Sequence, residues 1–269
     1  MCNGGGRSSL GNRRSERKRL TALKTALTHP IISSLVVIAL VALGGAGWRM
    51  LTNPTPVETA ETTLRALNVN LSSDMYDKVL GSPIIRRGLG SKGLWTERLW
   101  INDLYAVQTV ADSNGMVRLY SLTSRDPSLS PRVRILEIPL RSLGFAKGET
   151  ASGEVGSWGG MGGDFWYSEA HYLGGAGEYK TVVMTASTAG PNPTFGTMEI
   201  PQIDGAECAT DGPMCPVTDD IERRVRMVRA RLLVTTYTVL DSDKLPMEQL
   251  PRDFHFGPSF EDLSAASAK

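Results

Sequence analysis

The hydrophobic pattern splits the chain into one long apolar run and a larger region of short segments. IISSLVVIALVALGGAGW, from Ile31 to Trp48, carries no charge, and the charge-free window spans 24 residues from Thr25 to Trp48. A bilayer core of about 30 Å is crossed by ~20 apolar residues in a helix. The run therefore predicts a transmembrane helix over residues 30–48, with Trp48 at interface depth and Arg49 snorkelling beside it. Residues 1–29 read as a basic, largely disordered tail, and residues 49–56, with Pro54 and Pro56, as a stiff linker.

The period then becomes helical. Val57–Leu67 places Leu64 and Leu67 on one face and Glu58 and Glu61 in the first turn, where the helix dipole favours acids. Ser73–Leu80 reads as a second helix, capped by Ser73 and stopped by Gly81.

Further on, β-formers dominate. Arg98–Ala111 and Met116–Thr123 flank Asp112-Ser113-Asn114-Gly115, and Asn-Gly between two such runs is a strong hairpin signal. A strand is expected over Val133–Ile138, with a helical turn at Leu140–Phe145. The Gly-rich stretch Gly148–Gly163 reads as a flexible insertion. Phe165–Leu173 and Tyr179–Thr188 form a second expected hairpin. Thr218 caps a helix with Ile221, Val225 and Val228 on one face, Leu232–Leu240 is the last strand, and residues 251–269 read as a flexible tail.

Leu80-Gly81 before the first hairpin is echoed by Leu143-Gly144 before the second. The expected fold is thus α+β. One N-terminal transmembrane helix precedes an extracytoplasmic domain over residues 57–250, built of antiparallel β-hairpins with helices on one face, in two similar halves.

Charge sets the orientation. The whole chain has a net charge of +1, but residues 1–48 hold seven Lys and Arg against one acid, Glu16. The remainder holds 22 basic and 27 acidic residues, a net of −5. A basic tail beside a span stays in the cytoplasm, which puts the large domain outside. An acidic outer domain has no field to hold nucleic acid, so that class of partner is set aside. Cleavage near Gly44–Gly47 would release the domain, but the basic lead of about 30 residues is long for a signal peptide. An uncleaved anchor in the cell membrane is the reading adopted.

Three cysteines divide by compartment. Cys2 lies in the tail, whereas Cys208 and Cys215 share a Gly/Pro/Asp-rich loop on the outer side. A close pair in an oxidising compartment reads as a disulfide. Two metal ligands are the alternative, although the loop offers no His and no third Cys.

Signatures of catalysis are sparse. Gly88-x-Gly90-x-x-Gly93 matches a dinucleotide fingerprint, but no buried strand leads in and no helix follows. There is no G-x-S-x-G elbow. Glu169 and His171, two apart on an expected strand, share a face and form the one plausible acid–base pair. The cluster Phe165, Trp166, Tyr167, Tyr172 has two readings, a core face or an aromatic binding surface. On the second, Trp166, Tyr167 and Tyr172 would meet an envelope protein or a glycan.

Four stretches in order carry a resemblance: YDKVLGSP (Tyr76–Pro83), LYAVQTVADSNGMVRLYSLTSRD (Leu104–Asp126), FWYSEAHYLGGAGEY (Phe165–Tyr179) and VTTYTVLDSDKLP (Val234–Pro246). Over roughly residues 57–250 the chain resembles a family of bacterial single-span membrane proteins with an outer domain of unknown function. The resemblance implies no activity and no site residues. More distantly, the helix-plus-hairpin pattern is similar to BamE-type modules and the β-lactamase inhibitor protein, which bind other proteins. The expected function is a non-enzymatic binding or sensing module of the cell envelope, with no cofactor. Two alternatives are an envelope hydrolase using Glu169 and His171, and a structural subunit of a membrane complex.

Overall fold

The computed structural model describes residues 54–90, 93–133, 136, 138–147, 153–159, 165–175, 178–188, 201–203 and 208–267. The expected tail and span lie outside these residues. Among the described residues no helix is long and apolar enough to cross a membrane.

Two helices open the described chain, α1 (Pro56–Arg65) and α2 (Ser73–Leu80). The cap of α2 is Ser72, one residue earlier than the expected Ser73, and its hydroxyl accepts from the Met75 amide. Gly81 ends the helix at φ +80°, a conformation that suits glycine.

Strands β1 (Ile85–Leu89), β2 (Trp95–Ile101), β3 (Tyr105–Ala111) and β4 (Val117–Ser124) follow as an antiparallel meander. The single run expected over Arg98–Ala111 is two strands. Asn102 breaks it: its side-chain oxygen accepts from the amides of Leu104 and Tyr105, both at 2.9 Å, and turns the chain. The β3–β4 turn is as expected, with Asp112 accepting from the Asn114 and Met116 amides.

The middle of the chain departs further from expectation. The strand expected over Val133–Ile138 is instead a two-residue ribbon, β5 (Arg132–Val133) with β6 (Ile138–Pro139). The glycine-rich stretch contains a strand, β7 (Glu154–Gly159), paired along its length with β8 (Phe165–Gly175). The hairpin of β8 with β9 (Glu178–Ser187) is as expected. Then come β10 (Cys215–Pro216), α3 (Asp219–Arg229), capped by Thr218, and β11 (Thr236–Asp241).

All but the β5–β6 ribbon join one sheet in the order β1-β2-β3-β4-β11-β9-β8-β7-β10. The protein is therefore α+β, with a large antiparallel sheet and, among the described residues, four helices. The two halves do not repeat an order of elements. Leu143-Gly144 leads into a short 3-10 turn at Gly144–Lys147, and α3 follows the second hairpin instead of preceding it.

Helices α1, α2 and α3 cover one face. Leu64, Tyr76 and Val225 pack there with Tyr120, Tyr167, Met184 and Tyr237, all buried. The opposite face is covered by the chain after β11. Leu245, Met247, Leu250, Phe254 and Phe256 pack on Val110, Leu119, Val183 and Leu240. The expected loose tail is thus a strap, and it ends in α4 (Phe260–Ser267). Two aromatics and a Ser-x-x-Asp cap within 12 residues were the missed signal. Ser259 and Asp262 cap each other, and Asp262 meets Arg87 of β1 at 3.0 Å.

Where the strap crosses the sheet, the strands present small side chains. Ala106, Thr123, Thr236, Thr185 and Ser168 are successive lateral neighbours. Thr123 pairs with Thr236, and Ser168 with Thr185, through hydroxyl hydrogen bonds of 2.7 Å. Gln108 holds the strap by its backbone: its side-chain amide donates to the His255 carbonyl and its oxygen accepts from the Gly257 amide. Gly257 has φ +104°, and a Cβ there would lie 2.8 Å from the Thr123 hydroxyl oxygen. We predict that Gly257→Ala destabilises the fold by about 1–3 kcal/mol. It should also speed protease cleavage after Pro251. Unchanged urea midpoint and cleavage rate would contradict this account of the strap.

Candidate functional site

Strand alternation sends Tyr167, Glu169 and His171 toward the helix-covered face. Glu169 is fully buried there. Arg229, in the last turn of α3, reaches it with two hydrogen bonds, Nε to Oε1 at 2.8 Å and Nη2 to Oε2 at 3.1 Å. Tyr167 donates its hydroxyl to the same Oε1 at 2.6 Å. Burial alone would lower the Arg229 pKa, but the hydrogen bonds and charge of Glu169 outweigh it and hold the value above the ordinary one. Burial and the neighbouring Glu169 push the Tyr167 pKa up. This is a planar, charge-assisted clamp between a strand and a helix.

His171 lies beside it, with Nε2 3.9 Å from Glu169 Oε2. Burial lowers its pKa, Glu169 opposes that shift, and the charge of Arg229 reinforces it. The pair does share a face. However, both oxygens of the carboxylate already accept from Arg229, and one also accepts from Tyr167.

The three aromatics proposed as a surface do not form one. Tyr167 is in the core, edge-on to Phe145 with ring centres 5.2 Å apart. Trp166 points to the opposite face, is buried, and packs on His255. Of the three only Tyr172 is exposed, at 53 %. Its pKa is raised, by partial burial first and then by its hydrogen bond to Glu154. The core reading of this strand therefore holds for Trp166 and Tyr167, because both sheet faces are covered here.

Cys208 and Cys215 form a disulfide with Cα atoms 5.6 Å apart. Cys215 is buried and pairs with Val155 of β7, so the bond ties the loop to the end of the sheet. The Gly88–Gly93 motif lies on the β1–β2 hairpin, where Gly90 and Gly93 have positive φ. An antiparallel hairpin offers no helix N-terminus for a pyrophosphate. Among the described residues, no group of three or more His, Cys, Asp or Glu is arranged to hold a metal.

An open cleft lies elsewhere, between α1 and the segment leading into β5, with a volume of about 440 Å³. Its floor is apolar: Leu64 of α1, Leu122 of β4 and Tyr237 of β11, all buried. Its rim is polar. Arg65 and Glu61 of α1 stand on one side, 3.6 Å apart, and Ser130 and Arg132 on the other. The Arg65 side chain is 78 % exposed. In the sequence, Leu64 and Glu61 read only as the apolar face and acidic first turn of a helix, and none of these residues was a candidate site residue. They come from four segments that only the sheet order brings together, and arginines on helix and loop surfaces are ordinary. A second cleft, of about 380 Å³, surrounds Arg87, Glu97 and His255. Its polar groups are engaged in holding the strap. Glu97 accepts from Gln108 at 2.6 Å and pairs with Arg87, which also pairs with Asp262.

No family model matches the chain, and no curated protein matches it. Two chains among solved structures do. One is a cysteine-rich secretory protein from Staphylococcus aureus subsp. aureus Mu50, 9 % identical, with a TM-score of 0.33. The match covers 68 % of this chain and 46 % of that one, so the chain spans about half the length of its neighbour. A likeness that slight says nothing of function.

Two predictions follow from the clamp. Arg229→Met strands a carboxylate in the core and should cost about 3–5 kcal/mol, whereas Glu169→Gln with Arg229→Met should recover part of that loss. A double-mutant cycle in urea measures the coupling, and strictly additive losses would refute the clamp. His171 supplies a pH dependence. Its native pKa lies below the ordinary value of 6.5, so the unfolded chain takes the proton first as pH falls. Its contribution is complete above about pH 6.5 and declines as pH drops through that value toward the native pKa. The imidazole titration followed by NMR should have a midpoint below 6.5, and His171→Asn should flatten the fall in stability from pH 7 to 5. A midpoint at or above 6.5 would overturn this assignment.

Proposed function

We propose that the protein is a binding or sensing module of the cell envelope, held by a single N-terminal span with its tail in the cytoplasm and its α+β domain outside. The cleft beside α1 carries this reading. It is of a size that holds small ligands, and its lining sets buried Leu64, Leu122 and Tyr237 beneath the polar side chains of Glu61, Arg65, Ser130 and Arg132. The net charge of −5 outside residues 1–48 argues against nucleic acid as a partner. The disulfide supports an oxidising compartment. An envelope protein or glycan remains the proposed class of partner for the module as a whole. The hydrolase reading needs a carboxylate that can meet substrate, and Glu169 is buried and bonded to Arg229. No observation favours the structural-subunit reading over the binding module.

Labelling intact cells with a membrane-impermeant maleimide tests the topology. Cys208 and Cys215 should label only after reduction. Labelling that requires lysis, and then proceeds without reductant, would place the domain in the cytoplasm and defeat this proposal. Capture from solubilised envelope on the wild-type chain then tests the module itself, which should retain a component that a tail-and-span control does not.

A further inference from the structure

The loop closed by Cys208 and Cys215 sits between the end of the sheet and the start of the strap. On the sheet side, Cys215 is fully buried and pairs with Val155 of β7. On the strap side the loop makes three contacts. Met214 is buried in the same cluster as Leu245, Met247 and Leu250 of the strap. Gly212 lies so close that a Cβ there would be 3.0 Å from the Met247 carbonyl oxygen and 3.4 Å from the Glu248 Cα. Asp211 pairs with Arg252 across 3.9 Å. Between Ala209 and Met214 the chain has no helix or strand. Its shape is set by the cross-link and by the Thr210 hydroxyl, which donates to the Met214 carbonyl at 3.0 Å. Without the cross-link, such a segment regains the freedom that the ring denies it.

We infer that the disulfide is a redox-sensitive clip on the strap: reduction by a dithiol frees the loop, loosens residues 245–252 and uncovers the apolar sheet face at Ala170, Val183 and Leu240. Cys208 is the sulfur open to attack, because it is partly exposed and Cys215 is not. A thiolate of the dithiol bonds to the Cys208 Sγ as the Cys208–Cys215 bond breaks, and the Cys215 Sγ leaves and takes up a proton. The second thiol then displaces the Cys208 Sγ, which is protonated in turn. Two electrons and two protons have passed to the protein, and the dithiol ends as its own cyclic disulfide. The clip works in the same way whatever the domain binds.

Peptide-resolved hydrogen–deuterium exchange of the full chain in mild detergent, with and without dithiothreitol, tests this, and intact mass reports whether the bond has opened. Reduction should raise exchange in residues 245–252 about tenfold, within the limit set by the closure entropy of so short a ring, while β3 and β4 keep their rates. The double substitution Cys208→Ser with Cys215→Ser should exchange at the reduced rate and ignore dithiothreitol. Gly212→Ala keeps the bond but presses a methyl on Met247, so it should raise strap exchange in the oxidised protein. If the double-serine variant does not fold, the wild-type chain and Gly212→Ala decide the matter. Strap exchange unchanged by reduction overturns the clip, and so does a bond that dithiothreitol leaves closed in the folded protein. An equal rise in β3 and β4 also overturns it, because the bond is then a staple for the whole domain. Capture from envelope is read separately, so failure of the clip leaves the binding-module reading as it stood.

Discussion

The sheet is held together at its centre by β11. This strand pairs with β4 on one side and β9 on the other, along five and six residue positions. No other described strand joins the first meander to the second hairpin group in the sheet. Every residue of β11 is buried, and its side chains serve both faces. Tyr237 and Val239 belong to the core beneath the helices, and Leu240 to the core beneath the strap. The cleft depends on this strand as well. Tyr237 supplies part of its floor, next to Leu122 of β4.

Both faces of the sheet are covered, and the buried carboxylates Glu169 and Glu97 each find charged or polar partners there. Glu169 meets Arg229 and Tyr167, and Glu97 meets Arg87 and Gln108. Each cluster fastens a covering element to the sheet, α3 in the first case and the strap in the second. Removing one partner from such a cluster leaves an uncompensated charge, which costs far more than the intact pair contributes. These clusters therefore act chiefly on which element docks where.

Much of the architecture was legible in short-range pattern. Gly81, the Asp112–Gly115 turn and Thr218 each act through a local mechanism, and each falls where the sequence placed it. Asn102 was legible in principle, as a side chain that captures its own following amides, yet its flanks are so rich in β-formers that the break is hidden. Strand β7 was obscured by glycine, which weakens a strand on its own; at Gly156 the ring of Trp166 and the Pro213 carbonyl come too close for a side chain. The aromatic strand misled for a different reason. Alternation gives the two faces of a strand but not whether each is covered, and here the cover comes from a segment some 85 residues later, at Phe254–Phe256. The cleft was illegible because sheet order, not spacing, assembles it.

The position of β11 in the chain has a consequence for how the molecule is made. Among the described strands, residues 236–241 come last in the chain, although they sit in the middle of the sheet. In synthesis from the N-terminus, β4 and β9 must wait with open edges until β11 has appeared. Unpaired edges of this kind invite strand addition from neighbouring chains. The molecule's vulnerable interval thus runs from the completion of β9 to the arrival of β11, and it closes when the keystone is set between two finished walls.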